Sequence, residues 1–125
     1  FLHAGITFRK ERCPAMADFQ GVQFKGHPPQ CPVRFHVADP AHPIMQGVED
    51  FTLPQDEHYA LEVLAEDLEV FAQTSSDAGS YPAGMCRQLG QGRICLLTPG
   101  HNAFVISFPA YQKVILNALR WMAKE

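Results

Sequence analysis

From Pro109 to Lys124 the apolar residues Tyr111, Val114, Ile115, Ala118, Leu119 and Met122 recur at the three- and four-residue spacing of one helix face. A helix with a single apolar stripe has to bury it, so this chain needs a sheet or another helix to receive it. Pro109 suits the first helical turn, and Lys124 lies in the last, where a cation meets the negative end of the helix dipole. Upstream, Met85–Leu89 and Arg93–Thr98 are strand-like and flank the turn Gly90–Gln91–Gly92, which predicts a hairpin. Helix and hairpin together predict an α/β fold. At 125 residues and 46% hydrophobic content the chain fills one core, so a single domain, or part of one, is expected over residues 1–125.

The rest of the chain is read more coarsely. Phe1–Leu2–His3–Ala4–Gly5 opens without a methionine or a polar lead-in, as if cut inside or just after a buried strand. Arg9–Phe24 carries Pro14, Ala15, Met16, Phe19 and Val22 at loosely helical spacing, and Gly26–His27–Pro28–Pro29 breaks the chain into a loop. Val33–Val37 alternates as a half-buried strand does, placing Arg34 and His36 on one face, and Asp39–Pro40 ends it. Pro43–Gly47 predicts one helical turn and Phe51–Leu53 a short strand stopped by Pro54. Residues 55–67 read as mixed extended chain and loop. Leu68–Ala72 is strand-like, and Ser75–Gly84 is rich in Ser, Gly and Pro and predicts a loop.

Charge and cysteine usage narrow the function. With 10 Lys and Arg against 13 Asp and Glu, the net charge of −3 provides no basic footprint for nucleic acid or an anionic membrane. No apolar run approaches the ~20 residues that span a bilayer, and with no leader pattern a cytoplasmic setting is expected. The four cysteines, Cys13, Cys31, Cys86 and Cys95, form no C-x-x-C pair and are too few for a disulfide scaffold. They are expected to be reduced and mostly buried, with Cys95 inside an apolar strand.

The candidate chemistry rests on histidines and an acidic pair. His3, His27 and His101 stand where apolar runs give way to loops, and in open α/β sheets those strand ends face the ligand crevice. Adjacent carboxylates on an extended segment point to opposite sides, so of Asp56 and Glu57 one is expected to face a pocket; Glu57 is favoured, with Tyr59 on its side. Neutral imidazoles with a carboxylate suit a borderline divalent ion such as zinc, or proton transfer near neutral pH. Set against this, single loop histidines are commonly structural, Asp56–Glu57 alone is commonly a solvated turn, and Tyr59 alone is commonly core. His36 and His42 are read as structural, and Trp121 as core. No G-x-S-x-G, H-E-x-x-H or phosphate-cradling loop is present.

Taken in order, Leu2–His3–Ala4–Gly5, Gly26–His27–Pro28–Pro29, Ala41–His42–Pro43–Ile44 with Gly47, Asp56–Glu57–His58–Tyr59, Gly90–Gln91–Gly92–Arg93, Pro99–Gly100–His101 and Asn117–Trp121 resemble the trehalose-utilisation, or ThuA-like, family. The resemblance implies a class I glutamine amidotransferase-like fold, a flavodoxin-like parallel sheet flanked by helices in a three-layer α/β sandwich, here without its N-terminal strands and helices. It places His3 where the amidotransferases carry a nucleophilic cysteine, and His101 after the strand that delivers their catalytic histidine. Imidazole in place of thiol removes the covalent route to glutamine hydrolysis, so amidotransferase activity is not expected. His58 departs from the family's D-E-x-Y pattern, where a hydrophobic residue is commoner.

The expected site therefore has His3, His101 and Glu57 as catalytic residues and as ligands of a divalent metal, zinc first. His27, Tyr59 and Asp56 are expected to contact substrate. The expected partner is a small saccharide, and the expected reaction is acid/base or metal-assisted work on a disaccharide or keto-sugar. The rival is a non-catalytic module that binds carbohydrate or protein through the same crevice. An apolar face near Phe1 and Leu2 is expected to be exposed and to favour association with further copies of the chain.

Overall fold

The structure, a computed structural model, describes residues 1–125. Its strands are β1 (Val22–Gly26), β2 (Cys31–Val37), β3 (Phe51–Asp56), β4 (Ala60–Val63), β5 (Glu69–Ser76), β6 (Gly79–Leu89) and β7 (Gly92–Leu97). Its α-helices are α1 (Pro14–Gln20), α2 (Ala103–Ser107) and α3 (Pro109–Ala123), and short 3-10 turns cover His3–Ile6 and Pro43–Met45. β3, β2, β5, β6 and β7 form one antiparallel sheet in that order, and β1 pairs antiparallel with β4 in a second, two-stranded sheet. The parallel element is a single bridge, Leu2 to Leu97, on the outer edge of β7.

Strand alternation builds three layers. Val33 and Phe35 of β2 point inward and are fully or nearly fully buried, while Arg34 faces out. Phe35, Leu53, Phe71 and Leu97 join Tyr111, Val114 and Ala118 of α3 in the main core. On the opposite face Met85 and Leu96 pack with Ile6, Val22 and Leu61 beneath the small sheet. Gly84 is required where β6 passes under Phe71, because a Cβ there would run into the ring. The α3 stripe is wider than the surface that covers it. Tyr111, Val114 and Ala118 are buried, but Leu119 of the predicted face is exposed, as is Leu116. Trp121 is half-buried against the main core, beneath the Arg93 guanidinium.

Several segments differ from the sequence reading. Of Arg9–Phe24, only Pro14–Gln20 is helical; Gly21 (φ 78°) ends the helix in the left-handed region and the chain then enters β1. Pro54 does not stop β3. The strand runs through it because β3 lies at the sheet edge, where a missing N–H costs nothing, and a register shift between Cys31 and Val33 absorbs the irregularity. The expected loop Ser75–Gly84 is the tip of a long hairpin, in which β5 and β6 pair as far as Ser76 and Gly79. Its Ser and Pro content reflects a solvent-facing surface rather than an absence of strand.

Candidate functional site

The ends of four strand segments deliver the site. Leu2 bridges to Leu97, Phe1 O accepts from Leu97 N at 3.0 Å, and the chain then turns sharply at His3, whose φ is 45°. A left-handed backbone at a non-glycine residue costs roughly 1 kcal/mol or more and is held only by its surroundings. β1 ends at Gly26 and hands over to His27, β3 ends at Asp56 and hands over to Glu57, and β7 leads through Pro99–Gly100 to His101. Gly100 (φ 147°) has to be glycine, since a Cβ there would meet the His3 Cβ and Ile106 Cδ1 at 3.1 Å each.

These turns bring three imidazoles around one carboxylate. His3 Nε2 lies 3.2 Å from Glu57 Oε2, His27 Nε2 lies 3.5 Å from the same oxygen, and His101 Nδ1 lies 3.0 Å from Oε1. His3 is buried, Glu57 largely so, and the side chains of His27 and His101 are about a third exposed. The floor is closed and the rim is open. Tyr59 forms the floor, stacked on His3 with ring centroids 4.3 Å apart and its hydroxyl 3.0 Å from His3 Nε2. Burial, then the Glu57 charge and hydrogen bond, push the Tyr59 hydroxyl up to about 12, so it stays protonated and acts as a donor.

Backbone acceptors set the protonation pattern. His3 Nδ1 sits 2.8 Å from Thr98 O and His27 Nδ1 2.8 Å from Pro28 O. A carbonyl only accepts, so Nδ1 carries a hydrogen in both rings, and Nε2 is the ring atom left to face Glu57 Oε2. A bare lone pair facing a carboxylate is repulsive; a proton on the imidazole, a bound cation or, at His3, the Tyr59 hydroxyl hydrogen relieves it. This is the arrangement by which a backbone carbonyl behind the ring orients a metal-ligating histidine.

Asp56 plays a different part. It is fully buried, and its two oxygens accept from Gly100 N at 3.1 Å and His101 N at 3.0 Å. It holds the turn that carries His101 and has no exposed surface to offer a ligand. His58, the departure from the family pattern, is buried. Its Nε2 faces Thr74 O and its Nδ1 faces Ser76 Oγ at 2.6 Å, so it ties the segment between β3 and β4 to the end of β5.

Two groups of ligand-type atoms are compact enough for an ion, each with all its atoms within 4.8 Å of one another: His3–Glu57–His101 and His42–Glu69–Cys86. The first fits. Its donor atoms come as close as 3.2 Å (His3 Nε2 to Glu57 Oε2) and 3.0 Å (His101 Nδ1 to Glu57 Oε1), and two imidazoles with a carboxylate are a donor set that zinc accepts. The second fits poorly. His42 Nδ1 accepts from Ile44 N at 3.2 Å, so its hydrogen lies on Nε2, the atom that faces Cys86 Sγ and Glu69. Burial also pushes the Cys86 thiol up to about 12, far from the thiolate a metal needs. His42 caps the Pro43–Met45 turn and stacks on Phe71, a structural role. All four cysteines are free; Cys86 and Cys95 are buried and Cys13 and Cys31 half-buried.

The sequence profile of the family described as ThuA, trehalose utilisation, matches residues 1–122. The chain belongs to the trehalose-utilisation family. Its backbone superposes on a ThuA-like protein of Bacteroides uniformis with a TM-score of 0.79 at 21% identity, covering 97% of this chain and 56% of that one. A ThuA-like protein of Parabacteroides merdae gives 0.67 at 20% identity, over 82% and 41% of the two chains. A protein of Salmonella typhimurium described as cytoplasmic gives 0.55 at 17%, over 79% and 39%. The chain thus spans about half the length of the solved ThuA-like chains it resembles, and at these identities the likeness is one of fold. No curated protein matches the chain. The architecture is the α/β, class I glutamine amidotransferase-like sandwich of this family, represented here by its curled antiparallel sheet and flanking helices. No helix is long and apolar enough to cross a membrane.

Proposed function

We propose that this ThuA-family chain carries an acid/base or metal-assisted site for a disaccharide or keto-sugar, without amidotransferase activity. The observation that supports it most is the convergence of His3, His101 and His27 on Glu57 above a buried, protonated Tyr59. His3, His101 and Glu57 would hold a divalent ion, with zinc first on the donor set of two imidazoles and one carboxylate. When bound, such an ion polarises a substrate oxygen or lowers the pKa of a bound water.

The chain's own residues account for the rest. Glu57 accepts and returns a proton at Oε1 or Oε2. The Tyr59 hydroxyl donates to the same cluster. His27, on the open rim, hydrogen-bonds a sugar hydroxyl, and Asp56 positions His101 through two backbone amides. Tyr59 lies under His3 and is only 4% exposed, so it does not itself offer the exposed ring on which a plain carbohydrate-binding module stacks a sugar. We assign the chain to the cytoplasm, where its free thiols stay reduced.

Elemental analysis of the purified chain tests this reading, with wild type beside His3→Ala and Glu57→Ala. Stoichiometric zinc, manganese or iron that is lost in both variants is expected. Wild-type protein loaded with each ion and then found metal-free after desalting would remove the metal-assisted form and leave acid/base work by Glu57 and the imidazoles.

A further inference from the structure

A second set of catalytic-type side chains lies outside this site, in a row across three neighbouring strands. Asp50 immediately precedes β3, His36 is on β2 and Ser75 on β5. β2 pairs with both neighbours, so that Phe35 faces Phe51 on one side while Arg34 faces Ser75 and His36 faces Gln73 on the other. Alternation puts Arg34, His36, Asp50 and Ser75 on the face opposite α3. His36 Nε2 lies 2.7 Å from Ser75 Oγ, and His36 Nδ1 lies 3.1 Å from Asp50 Oδ2.

The protonation states follow from the partners. Val37 N donates to Asp50 Oδ1 at 2.8 Å, and this bond, then His36 and the Arg34 guanidinium 3.9 Å away, hold the carboxyl below its usual range. An ionised Asp50 only accepts, so His36 carries its hydrogen on Nδ1 and Nε2 accepts the Ser75 hydroxyl hydrogen. Nucleophile, base and orienting carboxylate therefore stand in the roles by which a serine triad is recognised, independent of their order in the chain. The His36 and Asp50 side chains are a third and two-fifths exposed, so the row is open to solvent.

We propose that Ser75, His36 and Asp50 form a second reactive centre that takes a short acyl group from an ester. Ser75 Oγ attacks the ester carbonyl carbon while its proton passes to His36 Nε2, and Asp50 stabilises the imidazolium. The carbonyl carbon–oxygen bond to the alcohol breaks, and the leaving oxygen takes the proton from His36. Water then attacks the acyl-serine, with His36 as base; the acid is released and Ser75 regains its proton. The row lies on an open face, so an ester carried on a larger molecule can reach Ser75 without entering a cleft. This centre shares no residue with the His3–Glu57–His101 site and stands or falls apart from it.

The test uses p-nitrophenyl acetate with the full chain, reading p-nitrophenolate release and the acetylated residue by peptide mass spectrometry. Acetyl on Ser75 is expected, with release slowed at least about tenfold in Ser75→Ala, His36→Gln and Asp50→Asn, and unchanged in Ser76→Ala. The three substituted positions face solvent, and circular dichroism checks that each variant keeps the fold. Acetyl found only on lysines, on Cys31 or on Ser76, or release unchanged in folded Ser75→Ala, overturns the proposal. Acetylation of Ser75 at the same rate in His36→Gln and Asp50→Asn also overturns it, since the row would then be a polar ladder without activation.

Discussion

Asp56 and Glu57 show how one step along the chain separates two carboxylates into different work. Side chains alternate on extended backbone, so Asp56 turns into the core and Glu57 toward the imidazoles. Asp56 has no cation beside it, and its two backbone amide donors are what make burial tolerable. Asp56→Ala leaves the Gly100 and His101 amides without their acceptor and is expected to lower stability by about 2 kcal/mol, measured by urea denaturation. It should also weaken metal or ligand binding, because the His101 turn is released while Glu57 remains. A variant within about 0.5 kcal/mol of wild type that binds as wild type does would show that the turn holds itself. Part of this was legible: alternation alone says that Asp56 and Glu57 part, with Tyr59 on the side of Glu57, but not which of the two turns to the imidazoles. The role of Asp56 was not, because its donors arrive from 44 and 45 residues further along the chain.

At the scale of elements, two histidines tie segments together while remaining neutral. Burial lowers the pKa of His58, against the opposing pull of the Thr74 carbonyl and Asp56. Burial likewise lowers that of His42, against Glu69 and Asp39. For a base whose folded pKa lies below its usual 6.5, the unfolded chain takes up protons first as the pH falls. Their contribution is therefore complete above about 6.5 and is lost progressively as pH falls from there toward the folded-state values. The melting temperature is expected to fall between about pH 7.5 and 5, with a shallower slope in His58→Gln, read by thermal unfolding across buffers. An unchanged slope in that variant would assign the acid sensitivity elsewhere. The elements themselves were unevenly readable. α3 and the β6–β7 hairpin carry strong local signals, a 3.6-residue stripe and a glycine turn. β4 and the tips of β5 and β6 do not, because their pairing partners, rather than their own composition, make them strands.

For the whole molecule, the telling surface is the outer margin of α3 and β7. Phe1, Leu2, Cys95, Leu97, Ile115, Ala118, Leu119 and Met122 line an apolar cleft of about 190 Å³, and Phe1, Leu2 and Leu119 are 40–54% exposed. Leu116 extends the apolar surface beside Ile115 and Leu119. Contiguous apolar surface beside a sheet edge capped by a single bridge favours contact with another copy. Sedimentation is expected to show concentration-dependent association of the chain, shifted toward monomer by Leu119→Glu. A wild-type chain that stays monomeric and binds no apolar dye would show that this face is content in water.

Local patterning alone determined the α/β class, the packing helix, the hairpin before it, the strand-to-loop placement of His3, His27 and His101, and the parting of Asp56 from Glu57. Those features depend on neighbours a few residues apart, which periodicity and alternation report directly. Only the tertiary structure decided that three imidazoles share one carboxylate, that Asp56 and His58 brace the fold, and that Asp50, His36 and Ser75 fall in line. Each of those arrangements is set by strand pairing and register between distant segments. A one-residue shift in that register would turn the same side chains to the opposite face of the sheet.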